Sequence, residues 1–365
     1  IHKRYSFTLI NPASFYVSLI FSVVTAIIVV AAGVSIASRY SDDIRGVSTE
    51  AIFGGISEKF AEIEMISIQD SDKTLTAKRS ENNWVMVDRN NYPASAEAVR
   101  NILVGLAELR LKELKTERKN LYSKLQVEDV TEKKAMSKLL TVKDKNGKTL
   151  AALIVGKETS EIAGASDVGR YIRKPGETRS WLAEGRLELP DAVKDWVSSQ
   201  FLNVSNKRVV IVGVAHPNGQ AMNVKRTTPT GTKFNILNFP AGREIEYQSD
   251  VDNMAEGLDK LELQDVRKVG DIAFPKDKTI KTKYGMVDGL VMNVEMFEDK
   301  DSKFWGHFKA GVEKSASDQI KKEAELINAT VSKWVYELPA HKFRYMSRKL
   351  EDVLEQPKKI GEKQK

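Results

Sequence analysis

Between Tyr5 and Ser38 the chain carries no charged side chain, and this stretch constrains the rest more than any other feature. Its dense apolar part, Phe15 to Ala37, would span about 34 Å as a helix at about 1.5 Å per residue. A bilayer's hydrocarbon core is about 30 Å thick, so the segment is long enough to cross it. Asn11-Pro12 just ahead suits a helix start, with asparagine capping and proline at the first helical position. Ser35-Ile36-Ala37 has the form of a small-x-small cleavage site, but the apolar region of a signal peptide is only about 7 to 15 residues. The length therefore predicts a retained, single-pass anchor. His2, Lys3 and Arg4 precede it, while Arg39 and Arg45 are cancelled by Asp42 and Asp43 after it. The excess of positive charge on the N-terminal side predicts a cytoplasmic N-terminus and a body outside the cytoplasm.

One face of this segment reads Ser18, Ser22, Thr25, Val29, Ala32, at alternating spacings of four and three. Small residues with that period let a second membrane helix approach closely, and their hydroxyls can bond across the contact. Ser18, Ser22, Thr25 and Ala32 are accordingly the candidate helix–helix contact.

The chain as a whole has a globular composition, 41% apolar and 29% charged. Its net charge of +7 is spread among interspersed acids. Short basic runs such as Lys112–Lys119, or the tail ending at Lys365, lack the aromatic-studded stripe of a nucleic-acid interface and read as solvated surface. With no cysteine, disulfides, thiolate metal sites and a cysteine nucleophile are excluded, which fits an oxidising envelope compartment.

Strand and helix patterns then appear in a definite order. Glu64–Gln69 and Lys73–Lys78 read as a hairpin, with Asn83–Asp88 as a third strand. Ser95–Leu109 follows with helical spacing, Ala98, Ile102, Leu106 and Leu109 on one face and Ser95 as N-cap. Hairpins are predicted across Asn146-Gly147 and across Pro175-Gly176, the latter a type II turn. A short helix is predicted over Val193–Phe201, another over Glu313–Val331, and a last one from about Lys342 to Leu354.

This order recurs. Val99, Asn101, Gly105, Leu106, Leu109 and Leu111 are matched by Val251, Asn253, Gly257, Leu258, Leu261 and Leu263 at a constant offset. Upstream, Leu75–Ser80 parallels Met222–Thr227, and Trp84 parallels Phe234. Val209–Val214 leads into a turn at Pro217-Asn218-Gly219, and Thr279–Tyr284 with Leu290–Phe297 supplies a further hairpin. The expected fold is thus α+β: one N-terminal transmembrane helix, then two repeated units of β-β-β-α-β-β type, each an antiparallel sheet with a helix on one face. Gly105 and Gly257, expected inside helices, cost up to about 1 kcal/mol against alanine and predict close helix–sheet contacts. Boundaries follow at 1–40 for stub and anchor, 41–205 and 206–345 for the two units, and 346–365 for a charged tail.

Chemistry-bearing motifs are scarce. His2, His216, His307 and His341 lack metal-ligand spacing. Gly147-Lys148-Thr149 imitates the end of a phosphate-binding loop, but the required earlier glycine is Val142. Asp70-Ser71-Asp72 and Asp299 with Asp301 are acidic turns without the glycine and distant glutamate of a calcium loop. Trp84, Trp181, Trp196, Trp305 and Trp334 sit in strand or amphipathic contexts that favour core packing. No catalytic residue, cofactor site or metal site is assigned, and the chain reads as a non-enzyme.

Several runs resemble a known family: Trp84 to Tyr92-Pro93-Ala94 with the helix to Leu111, Ile154-Val155-Gly156-Lys157, Gly169–Arg173, Asp195-Trp196, and Trp334-Val335-Tyr336 with Leu338-Pro339. It is a domain of unknown function in bacterial envelope proteins, whose genes often lie beside those of gliding-motility-type ABC transporters. The resemblance covers about residues 50 to 350 and carries no catalytic residues. It implies a periplasmic auxiliary subunit anchored in the bacterial inner membrane, with a permease, through it an ATPase, and other periplasmic auxiliary subunits as partners. An independent envelope protein binding glycan or peptidoglycan is the alternative expectation.

Overall fold

A computed structural model of the protein describes residues 51–160 and 169–355. The apolar segment Phe15–Ala37, its seam Ser18, Ser22, Thr25 and Ala32, and the tail after Glu355 lie outside the described residues. Among the described residues, no helix is long and apolar enough to cross a membrane. What is described is a sheet-rich α+β fold that divides into two compact units.

The smaller unit takes in the segment ending at Glu58, Gly105–Leu139 and Ala152–Leu187, and the larger one Lys59–Val104, Leu140–Ala151 and the chain from Glu188 onward. In chain order, the first strands are β1 (Ile63–Gln69), β2 (Thr74–Ser80), β3 (Asn83–Met86) and β4 (Tyr92–Pro93). Helix α1 (Ala96–Glu108) precedes β5 (Arg110–Thr116) and the single-turn α2 (Tyr122–Leu125). Then come β6 (Lys138–Asp144), β7 (Thr149–Thr159), β8 (Gly169–Arg173) and β9 (Ser180–Glu184).

Within the larger unit, β4, β3, β2, β1 and β6 are neighbours in that order. The turn between β6 and β7 falls at Asn146-Gly147, as the sequence predicts, with Gly147 at φ +78° and the Asp144 carboxylate accepting from Asn146 N and Lys148 N at 2.8 and 2.9 Å. Ser95 caps α1, its hydroxyl accepting from Ala98 N at 3.2 Å. The buried stripe is Val99, Ile102, Leu103, Leu106, so the apolar face is centred one position later than the Ala98-based reading.

Within the smaller unit the order is β7, β8, β9, β5. Tyr122, Val127, Ile154, Tyr171 and Leu182 form its core, against which the buried Arg173 is set. That guanidinium donates to Val127 O at 2.8 Å, Glu177 O at 3.1 Å and Asp129 Oδ1 at 2.6 Å, and lies 4.7 Å from the Tyr122 ring. A buried charge is tolerated because its donors are matched this way. Gly176 has φ +80° and Glu177 N donates to Lys174 O, which is the predicted type II turn.

The second half of the larger unit begins with the single-turn α3 (Val193–Trp196) and β10 (Gln200–Leu202). Next come β11 (Val209–Ala215), β12 (Ala221–Arg226), β13 (Phe234–Ile236), α4 (Gln248–Asp252), β14 (Leu261–Glu262) and β15 (Asp265–Lys268). The last elements are β16 (Ile280–Met286), β17 (Leu290–Glu298), β18 (Phe304–Val312), α5 (Asp318–Val331), β19 (Trp334–Leu338) and α6 (Ala340–Ser347). The sheet runs β13-β12-β11-β16-β17-β18-β19-β15.

This order copies the first half strand for strand: β3, β2, β1, β6 in the larger unit and β7, β8, β9, β5 in the smaller one. The internal repeat is therefore a repeat of topology. Each copy holds more strands than the β-β-β-α-β-β pattern, because β5, β8 and β9 and their counterparts β15, β18 and β19 join the sheets. Phe304–Val312 escaped the sequence reading because Gly306, Gly311 and interleaved polar residues hide its alternation.

Four predicted helices differ from expectation. Val193–Phe201 is helical only to Trp196, because Gln200–Leu202 pairs with Leu261–Glu262 and strand hydrogen bonds displace the helix. The second copy's helix is α4 followed by a 3₁₀ turn, Asn253–Glu256, so Gly257 caps a turn and is not inside a long helix. The stretch from Glu313 starts helically only at Asp318, after Ser317 accepts from Ile320 N and Ala316 N closes a turn on Glu313 O. Similarly, Lys342–Leu354 is α6 plus a separate 3₁₀ turn at Leu350–Asp352.

Candidate functional site

The alternation of β11, β12, β16 and β17 decides which side chains line the open face of the second sheet. Val212, Val224, Tyr284 and Met292 are register partners and all buried. The next row outward is Asn223, Gly213, Lys283, Asn293 and Lys309, each opposite its neighbour on the adjoining strand. Flanking rows carry Lys225, Ile211, Gly285, Val291 and Gly311 on one side, and Ala221, Ala215, Lys281, Glu295 and His307 on the other. Between them lies a trough of about 690 Å³, with Glu313 on its rim.

Glycine makes the trough. A Cβ on Gly213 would stand 2.6 Å from Asn223 Oδ1, and one on Gly285 would stand 2.7 Å from Ile211 Cγ2. Asn223 and Ile211 therefore lie down over the glycines, leaving a low floor. Lys281 and Glu295 pair across strands at 3.1 Å. The side chains of Asn223, Asn293 and Lys283 make no hydrogen bond or ion pair among the described residues.

Sequence reasoning passed over these residues, although a signal exists. Met-Asn-Val occurs twice, at Met222–Val224 and Met292–Val294. Asparagine is depleted in strands, so two of them between buried Met and Val mark a face with some use other than sheet stability.

A second cleft, of about 740 Å³, opens where the β11–β12 turn meets the end of α6; His216, Asn218, Asp277, Glu298, Asp299 and Lys349 are among its lining residues. His216 is buried, and its Nε2 has no hydrogen-bond partner among the described residues. Burial pushes this imidazole below its ordinary pKa, while backbone groups of Arg348 and Ser347 pull the other way. Asp299 is committed to structure. Its Oδ1 accepts from Asp301 N and Lys303 N at 2.8 and 3.0 Å, and its Oδ2 from the Trp305 indole at 2.8 Å. Burial raises this carboxyl, but those hydrogen bonds outweigh it and hold the group below its usual range.

Asp70 closes its own turn in the same manner, accepting from Asp72 N and Lys73 N, so both acidic clusters are turn clasps. His307 Nε2 lies 2.9 Å from Ser332 O, and His341 packs edge-on to Tyr345. Among the described residues, no group of three or more histidines and carboxylates could hold a metal ion.

Of the motifs behind the resemblance, Tyr92-Pro93, Asp195-Trp196 and Trp334–Tyr336 come together in the larger unit. Tyr92 stands 4.9 Å from Trp334 and 6.4 Å from Tyr336, and Trp196 O accepts from Ser95 N at 2.8 Å. Nearby, Arg89 forms a two-pronged bond to Asp265, at 2.6 and 3.1 Å. In the smaller unit, Gly156 of the Ile-Val-Gly-Lys run is needed because a Cβ there would collide with Leu125 O and Gln126 O. These are packing roles. Trp84, Trp196 and Trp305 are likewise buried in the core.

The family model described as a domain of unknown function (DUF4340) matches residues 84–285, more than half of the chain. The chain belongs to that family. No curated protein and no solved structure matches it.

Proposed function

We propose that the protein is a non-enzymatic accessory subunit of an ABC transporter complex of the gliding-motility type. In this reading Phe15–Ala37 anchors it in the bacterial inner membrane, the body lies in the periplasm, and the glycine-floored trough is its interaction surface. The observation that carries the reading is that trough: polar side chains on β12, β16 and β17 that have no hydrogen-bond or ion-pair partner among the described residues, above a floor cleared by Gly213 and Gly285. Groups that could otherwise serve acid–base chemistry, Asp299 and His307, are held in structural hydrogen bonds, which also favours binding over catalysis.

Isolation of the tagged full chain from native membranes in mild detergent tests this. Permease and ATPase should accompany it, in amounts reduced at least ten-fold by leucine at Ser18, Ser22 and Thr25 together, or by Gly213→Val. Recovery of the protein alone would overturn the assignment.

A further inference from the structure

We infer that the trough on the second sheet binds an extended, acidic peptide segment laid across the strands, with Asn223 and Asn293 pairing to its backbone. The inference rests on the reading of the trough as the interaction surface and adds the chemistry of its occupant.

The spacing comes first. Asn223 on β12 and Asn293 on β17 lie in one register row, separated by β11 and β16. Three inter-strand steps of about 4.8 Å place them about 14 Å apart. An extended peptide advances about 3.3 Å per residue, so residues i and i+4 are about 13 Å apart. In an extended chain the N–H and C=O of residues i, i+2 and i+4 point to one side. A carboxamide carries both a donor and an acceptor, so each asparagine can bond the N–H and C=O of one peptide residue together. The match holds only for an extended chain, since a helix advances about 6 Å over four residues.

The floor agrees with this. Gly213 stands between Asn223 and Lys283 in the row, and Gly285 and Gly311 occupy the row beside it. Missing side chains there let another backbone approach the sheet closely. No aromatic side chain lines the trough, which removes the usual platform for stacking a sugar ring.

Charge sets the sign of the partner. The three outward rows carry Lys225, Lys281, Lys283 and Lys309 against Glu295, which Lys281 already pairs, and with Glu313 on the rim the balance is four lysines to two carboxylates. Peptide side chains projecting to either side of the backbone would meet these lysines, so Asp and Glu are favoured there.

The test uses full-length protein in detergent and a fluorescein-labelled ten-residue peptide of alternating glutamate and serine, read by anisotropy at low salt. Companion probes are the same peptide N-methylated at alternate residues, its lysine-for-glutamate counterpart, and phosphatidylglycerol vesicles as competitor. The acidic peptide should bind. Asn223→Leu with Asn293→Leu, Lys283→Glu, or N-methylation should each weaken it at least ten-fold, with circular dichroism unchanged because these side chains are exposed. Absence of acidic-peptide binding would overturn the inference. So would equal binding of the N-methylated or lysine peptide, indifference to the asparagine pair, or full displacement by vesicles. If Gly213→Val loses permease while the acidic peptide never binds, only the occupant is wrong. If the peptide binds as described but Gly213→Val retains permease and ATPase, the transporter role of the trough falls and the peptide site stands.

Discussion

Hairpins β1–β2 and β11–β12 hold matching places in two sheets of the same strand order, and each is closed by the same clasp. Arg79 lies 4.8 Å from the Trp84 ring and donates to Ile63 O at 3.1 Å; Arg226 lies 4.8 Å from the Phe234 ring and donates to Val209 O at 2.7 Å. Toward the open face they part. Where the first hairpin pairs Ser67 with Thr76, the second pairs Gly213 with Asn223. Buried positions and the arginine clasp occur in both copies, whereas the outward row of the second has glycine at its floor and amides beside it. The core side of a strand is held by packing, so the face turned away from it is where two copies of one fold can acquire different uses.

The clasp should separate the copies most strongly. Arg226 also bonds Gly231 O and Asn206 O, while Arg79 has one carbonyl and a 3.6 Å approach to Glu64 with both side chains about a third exposed. Arg226→Ala should therefore cost about 4 kcal/mol, because three carbonyls lose a charged donor. Arg79→Ala should cost only about 1 kcal/mol. Urea unfolding of the two variants compares them, and equal losses would break the asymmetry.

The paired glycines come next. An added Cβ at Gly257 would overlap the Tyr284 hydroxyl, which donates to Met254 O, and stand 2.6 Å from Met346 Cγ. At Gly105 it would stand 2.5 Å from Arg186 O. Overpacking costs about 1–3 kcal/mol. Gly257→Ala also strains a buried hydrogen bond, giving about 3 kcal/mol. Gly105→Ala recovers about 1 kcal/mol of helix propensity, leaving about 1–2 kcal/mol. A thermal-melt series on both variants decides the ranking.

A smaller effect, confined to acid, belongs to the second hairpin's turn. His216 is held below its ordinary pKa, so the unfolded chain takes up its proton first as pH falls through about 6.5. Stability from this residue is complete above that pH and is lost on acidification until the native pKa is reached. His216→Asn should flatten this part of the acid limb relative to the parent; superimposable stability profiles would show that the histidine is not responsible.

Smallest for stability is Gly213→Val, within about 0.5 kcal/mol of the parent, since the new Cβ meets only the tip of Asn223 and valine suits a strand. Its consequence should be functional, as the trough is filled. A large loss of stability would mean that the glycine is kept for folding.

Much of the architecture was legible because short-range physics writes it. Ser95 capping α1, Asn146-Gly147 and Pro175-Gly176 turning hairpins, and the offset between Val99–Leu111 and Val251–Leu263 all depend on neighbours within a few residues. Where the reading failed, a distant partner decided. Leu261 drew Gln200–Leu202 out of a predicted helix, and β18 became a strand because β17 and β19 flank it. The trough was the least legible part. Asn223 and Asn293 are 70 positions apart, and only the register of β12, β11, β16 and β17 places them in one row.

By itself the sequence determined the α+β class, the repeat and the turns, since hydrophobic period and turn chemistry are local properties of the chain. Strand order, the joining of Tyr92 to Trp334 and Tyr336, and the row of amides and lysines over bare glycine were decided by tertiary structure. Hydrogen-bonded register is a relation between distant segments, and no single segment carries it.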